Sequence, residues 1–155
     1  MLYFAYGSNM DWTRMKERCP SAKFISTAKL TNYKFAITHR CMAGTGVSDI
    51  VRSEGSEVWG VVYQIDELDI GNLDRAEGYR PGREKNSYKR IEMHVDKDGD
   101  SKQPLDVFTY VVTGKENDVP NPSLEYKKHI VDGARYWKLP EQYIVAVLER
   151  IEVSK

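Results

Sequence analysis

Residues 57–79 read EVWGVVYQIDELDIGNLDRAEGY, and the start of this stretch decides the fold class. Every second side chain is large and apolar there, which predicts a strand with one apolar face. That face carries Trp59, Val61, Tyr63 and Ile65. Gly60 belongs to the other face, where a glycine often marks the close approach of a backbone or a ligand. The sequence therefore predicts a strong strand over residues 57–65.

The same stretch continues as a helix. Asp66 is the expected N-cap, and Leu73 and Ala76 lie with Ile70 on one apolar stripe. Gly78 is placed to adopt the left-handed conformation that ends many helices. The stretch as a whole is thus a strand followed directly by a helix.

Two more helices are predicted near the end of the chain and one near its start. Asp11 is the expected N-cap of the helix near the start, which stops at Pro20. Ser123 is the expected N-cap of the first of the two helices near the end. Pro140 lies near the start of the last helix, whose buried stripe includes Ile144 and Leu148. Further strands are predicted at residues 2–6, 22–28, 30–38, 88–95 and 105–113.

Residues 41–57, CMAGTGVSDIVRSEGSE, are rich in small and polar side chains. Two interpretations remain open for them. They form a surface loop with a weak strand over residues 46–51, or they form a lid over a site.

The order of the elements predicts an α+β fold. Too many strands follow one another for a doubly wound parallel sheet. A mixed, mostly antiparallel sheet that closes into a barrel-like form, with helices packed outside it, fits better. A length of 155 residues suits a single domain over residues 1–155.

Composition excludes several classes of function. Lys plus Arg and Asp plus Glu both number 23, so no basic excess predicts a nucleic-acid partner. The start lacks the basic region of a signal peptide, and no stretch approaches the ~20 apolar residues of a membrane span. Cys19 and Cys41 form no CxxC pair, which predicts a reduced, cytoplasmic protein. The three histidines are scattered, so no metal site is predicted.

Two features are candidates for chemistry. The first is YFAYGSNM at residues 3–10, where a buried strand ends in small turn residues. Gly7 permits a positive φ, and successive N–H groups in such a turn can bind an anion. The second is Glu77, which is expected at the carbonyl end of its helix. The partial negative charge there should raise the pKa of the carboxyl and suit it to proton transfer.

No nucleophile constellation or nucleotide-binding loop is evident. Neither cysteine is flanked by residues typical of an activated nucleophile, and no histidine lies at a spacing from Ser8 that would indicate a catalytic pair. GxxxxGK[ST] and GxGxxG are both absent, so ATP and nicotinamide chemistry are unsupported.

Taken together, YFAYGSNM, the stretch over residues 57–79 and PSLEYKK at residues 122–128 resemble the gamma-glutamylcyclotransferase family. The order and spacing of these stretches run through nearly the whole chain. The resemblance implies a small barrel-like α+β fold and no cofactor. It also implies an intramolecular acyl transfer that releases 5-oxoproline from a small γ-glutamyl compound.

The resemblance also implies a set of site residues. Glu77 matches the catalytic acid/base, and Tyr126 is similar to a tyrosine that contacts substrate. Tyr88 is an uncertain match to a second pocket tyrosine, because the link over residues 79–90 is longer than in the family. The substrate-binding segment is expected to comprise Tyr3, Phe4, Ala5, Tyr6, Gly7 and Ser8.

Other functions remain open at this stage. The domain could bind a small carboxylate or a γ-glutamyl compound without turning it over. A purely structural or interaction domain would have no cavity joining Gly7, Glu77 and Tyr126. The expected partner is a small molecule, with no nucleic acid and no membrane, and the chain is expected to be a monomer or a homodimer. The leaving group is not specified.

Overall fold

The structure is a computed structural model and describes residues 1–82 and 87–154. Strands in this part of the chain close into a five-stranded barrel with helices packed against it. The strands are β1 (Leu2–Ala5), β2 (Lys23–Arg40), β3 (Gly46–Gln64), β4 (Tyr88–Lys97) and β5 (Pro104–Val112). The α-helices are α1 (Trp12–Arg18), α2 (Glu67–Ala76), α3 (Leu124–Tyr136) and α4 (Glu141–Tyr143).

The barrel has the order β1–β3–β2–β4–β5 and closes between β5 and β1. That closing contact is parallel and pairs Tyr3 with Phe108, whereas the other strand pairs are antiparallel. The predicted α+β class, with a mixed and mostly antiparallel barrel-like sheet, is confirmed. Full closure leaves β1 paired on both sides, which holds the bend that follows it in a defined position.

The prediction of separate strands over residues 22–28 and 30–38 is wrong in one respect, because they form the single strand β2. Asn32 adopts a φ of 67°, and the pairing with β3 shifts register there, between Thr31 and Tyr33. The strand therefore bends without being interrupted, as β-bulges allow.

For residues 41–57, the weak strand predicted over residues 46–51 is confirmed, but the loop predicted after it is wrong, since β3 runs from Gly46 to Gln64 and only the residues before Gly46 form a turn. Close packing explains the glycine at which β3 begins. A Cβ on Gly46 would lie 2.2 Å from the Pro120 carbonyl oxygen and 2.4 Å from the Ile37 side chain. At this position the small residue therefore indicates a crowded strand rather than a loop.

Alternation along the strands separates two layers of core. One layer fills the barrel and consists of Tyr6 and strand side chains such as Phe4 and Val62. The other lies between the barrel and the helices and includes Val61 and Tyr63, as predicted for that face. Gly60 lies where β1 approaches most closely. A Cβ there would be 2.3 Å from the Ala5 carbonyl oxygen.

The helices begin and end close to the predicted residues. The Asp11 carboxylate accepts a hydrogen bond from the Arg14 N–H (3.1 Å), and the Ser123 hydroxyl accepts one from the Tyr126 N–H (3.1 Å). The predicted last helix is short and irregular: α4 continues as one π-helical turn over Ile144–Leu148. Among the residues that the structure describes, no helix combines the length and apolarity needed to cross a membrane.

Candidate active site

The bend after β1 requires a glycine, although not because of a positive φ, as predicted. Gly7 has a φ of −122°, so it is not in the left-handed region. It is instead required for space, because a Cβ would lie 2.4 Å from Ser48 Oγ and 3.9 Å from the Tyr126 hydroxyl. The chain then forms a 3-10 turn over Ser8–Met10. The N–H groups of Ser8 and Asn9 open that turn and therefore have no acceptor within it.

Glu77 ends α2, as predicted. The Gly78 N–H donates to the Arg75 carbonyl (3.1 Å), and the Tyr79 N–H donates to the Asp74 carbonyl (2.8 Å). With Gly78 at a φ of 71°, these are the two hydrogen bonds of a Schellman motif. The motif stops the helix at Glu77 and fixes the direction in which its side chain leaves the backbone.

Asn9 connects the bend to Glu77. Its Nδ2 donates to Glu77 Oε1 at 2.9 Å and to the Tyr3 hydroxyl at 3.0 Å. Its Oδ1 accepts a hydrogen bond from Arg18 Nη1 at 2.7 Å. Arg18 Nη1 also lies 3.7 Å from Glu77 Oε1. An amide with both ends occupied has one orientation, so Asn9 holds the carboxylate against the N-terminal bend.

The environment of Glu77 favours its protonated form more than water does. Only 17% of its side chain is exposed, and this burial raises its pKa above the ordinary value. The Arg18 guanidinium and the hydrogen bond from Asn9 oppose the shift without cancelling it. The sequence predicted the direction correctly but assigned it to the helix end, whereas burial is the main cause.

A polar cavity, partly open to solvent, lies between the bend and Glu77 and has about 300 Å³ of space when its open mouth is counted. Its walls come from four strands, from the bend and from the ends of α2 and α3. Glu77 is the one carboxyl group among the described residues that line it. The lining residues are Tyr3, Tyr6, Gly7, Ser8, Asn9, Ser48, Glu77, Tyr88, Tyr110 and Tyr126.

Two tyrosines meet Ser48 at the wall formed by β3. The Tyr126 hydroxyl accepts a hydrogen bond from the Ser48 N–H (3.0 Å) and lies 2.8 Å from Ser48 Oγ. The Tyr88 hydroxyl donates to the Ser48 carbonyl at 2.5 Å. Burial raises the pKa of both phenols, so they remain neutral donors and acceptors at physiological pH.

Beneath the cavity, Tyr110 is fixed by a buried carboxylate. Its hydroxyl donates to Asp74 Oδ1 at 2.5 Å, and Arg90 Nη1 lies 3.2 Å from Asp74 Oδ2. Asp74 is in α2, one turn before Glu77. The same helix therefore supplies the carboxyl in the cavity and the anchor for a tyrosine of its wall.

Comparisons with known proteins identify the family. A model described as "AIG2-like family" matches residues 57–147. A gamma-glutamylcyclotransferase of Mus musculus is 36% identical over 148 residues, which cover 92% of this chain and 74% of the relative. The Homo sapiens protein of the same name is 36% identical over 149 residues, with the same coverage.

This chain belongs to the gamma-glutamylcyclotransferase family. The solved structure of a gamma-glutamyl cyclotransferase superposes with a TM-score of 0.87 at 33% identity and covers 100% of this chain and 89% of that one. YkqA from Bacillus subtilis superposes with a TM-score of 0.78 at 23% identity, over 99% of this chain and 56% of that one. At that identity YkqA shows the shared fold alone. The resemblance to the family that was read from the sequence is confirmed.

Most residues predicted for a gamma-glutamylcyclotransferase site lie together at the cavity. Phe4 and Ala5 do not line it. The Phe4 ring belongs to the core inside the barrel, and Ala5 packs in the layer beneath the helices. Alternation along β1 explains Phe4, which lies on the opposite face from Tyr3, whereas Ala5 shares the face of Tyr3 and has only a short side chain.

Several residues of the cavity were missed or left uncertain by sequence reasoning. Ser48 lies in the weak strand predicted over residues 46–51 but was not singled out, and Tyr110 looked like ordinary strand core. Arg18, which lies beside the cavity in contact with Asn9 and Glu77, gave no signal at all. Tyr88 was an uncertain match, and the structure places it in the cavity. Part of the long link before it, residues 83–86, lies outside the described residues.

Among the described residues, no group of three or more His, Cys, Asp or Glu side chains is arranged to hold a metal ion. The cavity offers hydroxyl groups, one side-chain amide, backbone N–H groups and one carboxyl. Such a set can bind a small polar molecule and move a proton at one place.

Proposed function

We propose that this protein is a cofactor-free gamma-glutamyl cyclotransferase that releases 5-oxoproline and a free amine from a γ-glutamyl compound. The names of its relatives and their 36% identity support the activity. One observation in the structure carries the proposal. Asn9 joins the partly buried carboxyl of Glu77 to the N-terminal bend at 2.9 Å, so a proton carrier faces backbone donors across one small cavity.

The reaction needs no enzyme nucleophile. The α-amine of the substrate attacks its own γ-carbonyl carbon, and a C–N bond forms that closes a five-membered ring. The bond from that carbon to the leaving nitrogen then breaks. The attacking amine must lose a proton and the leaving nitrogen must gain one. Glu77 accepts the first proton and returns it to the second nitrogen, acting as base and then as acid.

The bend supplies donors for the negative charge of the substrate. The N–H groups of Ser8 and Asn9 are free to bind either the α-carboxylate or the oxygen of the tetrahedral intermediate. A donor placed at such an oxyanion contributes about 3 kcal/mol to catalysis.

The tyrosines shape the substrate for ring closure. Tyr126 and Tyr88 are fixed by Ser48, and Tyr3 by Asn9, so their hydroxyl groups do not need to be ordered on binding. A rigid, small cavity favours a folded γ-glutamyl arm in which the amine already lies close to the carbonyl carbon. Such preorganisation can supply a large part of the rate enhancement.

The experiment is an assay for 5-oxoproline with γ-glutamyl-alanine and related amides, comparing the wild type with Glu77→Gln. We expect the variant to lose about 10²–10⁴-fold in kcat, because general acid–base catalysis contributes that much. Glu67→Gln is the matched control, since Glu67 is an exposed carboxyl at the other end of α2. Full turnover by Glu77→Gln would show that the role given to Glu77 is wrong.

The same assay distinguishes the alternative of a binding module. Tight binding of 5-oxoproline without turnover of any γ-glutamyl amide would favour that module.

We also propose that residues 1–155 form one domain, that the protein works as a monomer or homodimer in the cytoplasm, and that it acts without nucleic acid or membrane. A single cooperative unfolding transition is the expected sign of one domain.

A further inference from the structure

A second, wider space adjoins the cavity. It opens onto about 1160 Å³, and four of its lining residues also line the cavity between the bend and Glu77. These shared residues are Ser8, Glu77, Tyr88 and Tyr126. We call this space the arginine groove. If the smaller cavity holds the γ-glutamyl half of a substrate, as the proposed function requires, the half that departs extends past Glu77 into this groove.

The charge of the groove is strongly one-sided. Among its described lining residues, Glu77 is the one carboxyl, and it faces Arg14, Arg18, Arg40 and Arg75. The whole chain has a net charge of zero, so this excess is local and does not follow from composition. A concave surface lined by one sign of charge attracts and orients ligands of the other sign.

Two of these guanidinium groups are already occupied. Arg18 donates to Asn9, and Arg75 donates to the Asn72 side chain. The other two, Arg14 and Arg40, form no side-chain hydrogen bond or ion pair with any residue that the structure describes. The Nε of Arg14 is buried without an acceptor, which is costly unless a ligand provides one.

We propose that the arginine groove binds the departing half of the substrate through two carboxylates, one at Arg14 and one at Arg40. The preferred leaving group is then an acidic amino acid such as glutamate, rather than a neutral amine. A guanidinium matches a carboxylate in shape and can bind it with paired hydrogen bonds. This inference rests on the proposed function, and the chemistry is unchanged: the leaving nitrogen departs with the proton returned by Glu77.

The test is a substrate series with an increasing number of carboxylates on the leaving half. γ-Glutamyl-alaninamide has none there, γ-glutamyl-glutamine has one, and γ-glutamyl-glutamate has two. Glutamine and glutamate are nearly equal in size, so the last step isolates charge. For the wild type we expect kcat/KM to rise about tenfold with each carboxylate, mainly through KM.

Variants assign the effect to the groove. Arg40→Gln should lower kcat/KM for γ-glutamyl-glutamate about tenfold and leave the alaninamide unaffected. In Arg14→Gln, the rise of kcat/KM with the number of carboxylates should become smaller. The three substrates are compared with one another in that variant, so that a general loss of activity does not affect the result. Arg52→Gln is the matched control, because Arg52 is an exposed arginine of β3 that lies over Tyr33 and does not line the groove.

The outcomes separate this inference from the proposed function. A flat series in the wild type, or a slope that both groove variants retain, would overturn the inference while leaving the cyclotransferase activity intact. If no substrate of the series yields 5-oxoproline, the proposed function itself fails. Circular dichroism of each variant checks its fold. Arg40→Gln is expected to fold like the wild type, because Arg40 is exposed at the end of β2.

Discussion

Asn9 is the residue through which two distant parts of the chain meet. It is 3% exposed and contacts Tyr3, Arg18 and Glu77 through its amide group. Its Nδ2 stabilises the ionised form of Glu77, since a hydrogen bond to a carboxylate lowers the pKa. We interpret Asn9 as a positioning residue that acts through Glu77.

Replacing Asn9 should therefore change the pH dependence as well as the rate. For Asn9→Ala we expect kcat/KM at neutral pH to fall about tenfold, because a hydrogen bond to a charged group is lost. The acidic limb of the profile of kcat/KM against pH should move to higher pH, because the pKa of Glu77 then rises further. Asn72→Ala, which removes an exposed amide of α2, is the control. A lower rate with an unmoved acidic limb would contradict the positioning role.

Glu77 should also lower the stability of the fold at neutral pH. Its pKa is raised in the folded protein relative to an ordinary value of 4.5. The free energy of unfolding of the wild type therefore declines as the pH rises from that value through the raised pKa of the folded state. Because the glutamine of Glu77→Gln cannot ionise, the free energy of unfolding of this variant does not decline for this reason.

We expect the free energy of unfolding of Glu77→Gln minus that of the wild type to increase across this pH window and to stay constant above it. Urea unfolding at a series of pH values measures the difference. A difference that shrinks as the pH rises would show that Glu77 is better stabilised as an ion in the fold than in the unfolded chain.

At the scale of elements, α2 and α3 end in the same way but with different residues. After α2, Gly78 has a φ of 71°, and after α3, Lys138 has a φ of 61°. The hydrogen bonds of the second end are Lys138 N–H to Arg135 carbonyl (3.1 Å) and Leu139 N–H to Ala134 carbonyl (3.0 Å). Only the first end uses the residue that suits the left-handed conformation.

Lys138→Gly should thus stabilise the protein by about 1 kcal/mol, because it relieves the left-handed strain of a side chain with a Cβ. Gly78→Ala should destabilise it by about 1–2 kcal/mol for the opposite reason. Lys128→Gly is the control, since Lys128 is exposed inside α3 and its replacement should cost about 1 kcal/mol. Urea unfolding measures all three. A stability loss in Lys138→Gly would contradict the assignment of strain.

At the scale of the whole molecule, α3 packs directly on the turn that carries Asn9. A Cβ on Gly133 would lie 2.3 Å from the Met10 carbonyl carbon and 2.5 Å from the Asp11 backbone nitrogen. Trp137 adds a hydrogen bond from its Nε1 to the Met10 carbonyl at 3.0 Å. The C-terminal helix thus supports the N-terminal bend, and through it the position of Glu77.

Gly133 and Gly71 both lie inside helices, yet we expect opposite effects from their replacement. Gly133→Ala should destabilise the protein by about 1–3 kcal/mol, because backbone atoms would have to move. Gly71→Ala should stabilise it by about 0.5–1 kcal/mol, since the nearest atom to its Cβ is Arg75 Nη1 at 3.6 Å. Thermal unfolding compares the two. Equal effects would show that helix propensity, not the contact with the bend, decides both.

Local patterns were sufficient for much of the fold. Alternation over residues 57–65 predicted which side chains of β3 share a face, and Gly78 predicted where α2 ends. These features depend on neighbours in the sequence, through the two-residue period of strands and the steric freedom of glycine. Local chemistry also singled out Glu77 and the N-terminal bend, and the resemblance to the family added Tyr126 and the roles of all three.

Tertiary structure decided what the local patterns could not. The small residues over residues 41–57 left a loop with a weak strand and a lid open as interpretations, whereas the structure extends the strand from Gly46 to Gln64 and brings the Pro120 backbone against Gly46. Ser48 and Tyr110 reach the cavity, and Arg18 the adjoining groove, only because the barrel closes and brings distant strands and helices to one place. The sequence alone determined most of the elements and their order. Long-range packing determined the cavity and the charge of its groove, because both depend on contacts between residues far apart in the chain.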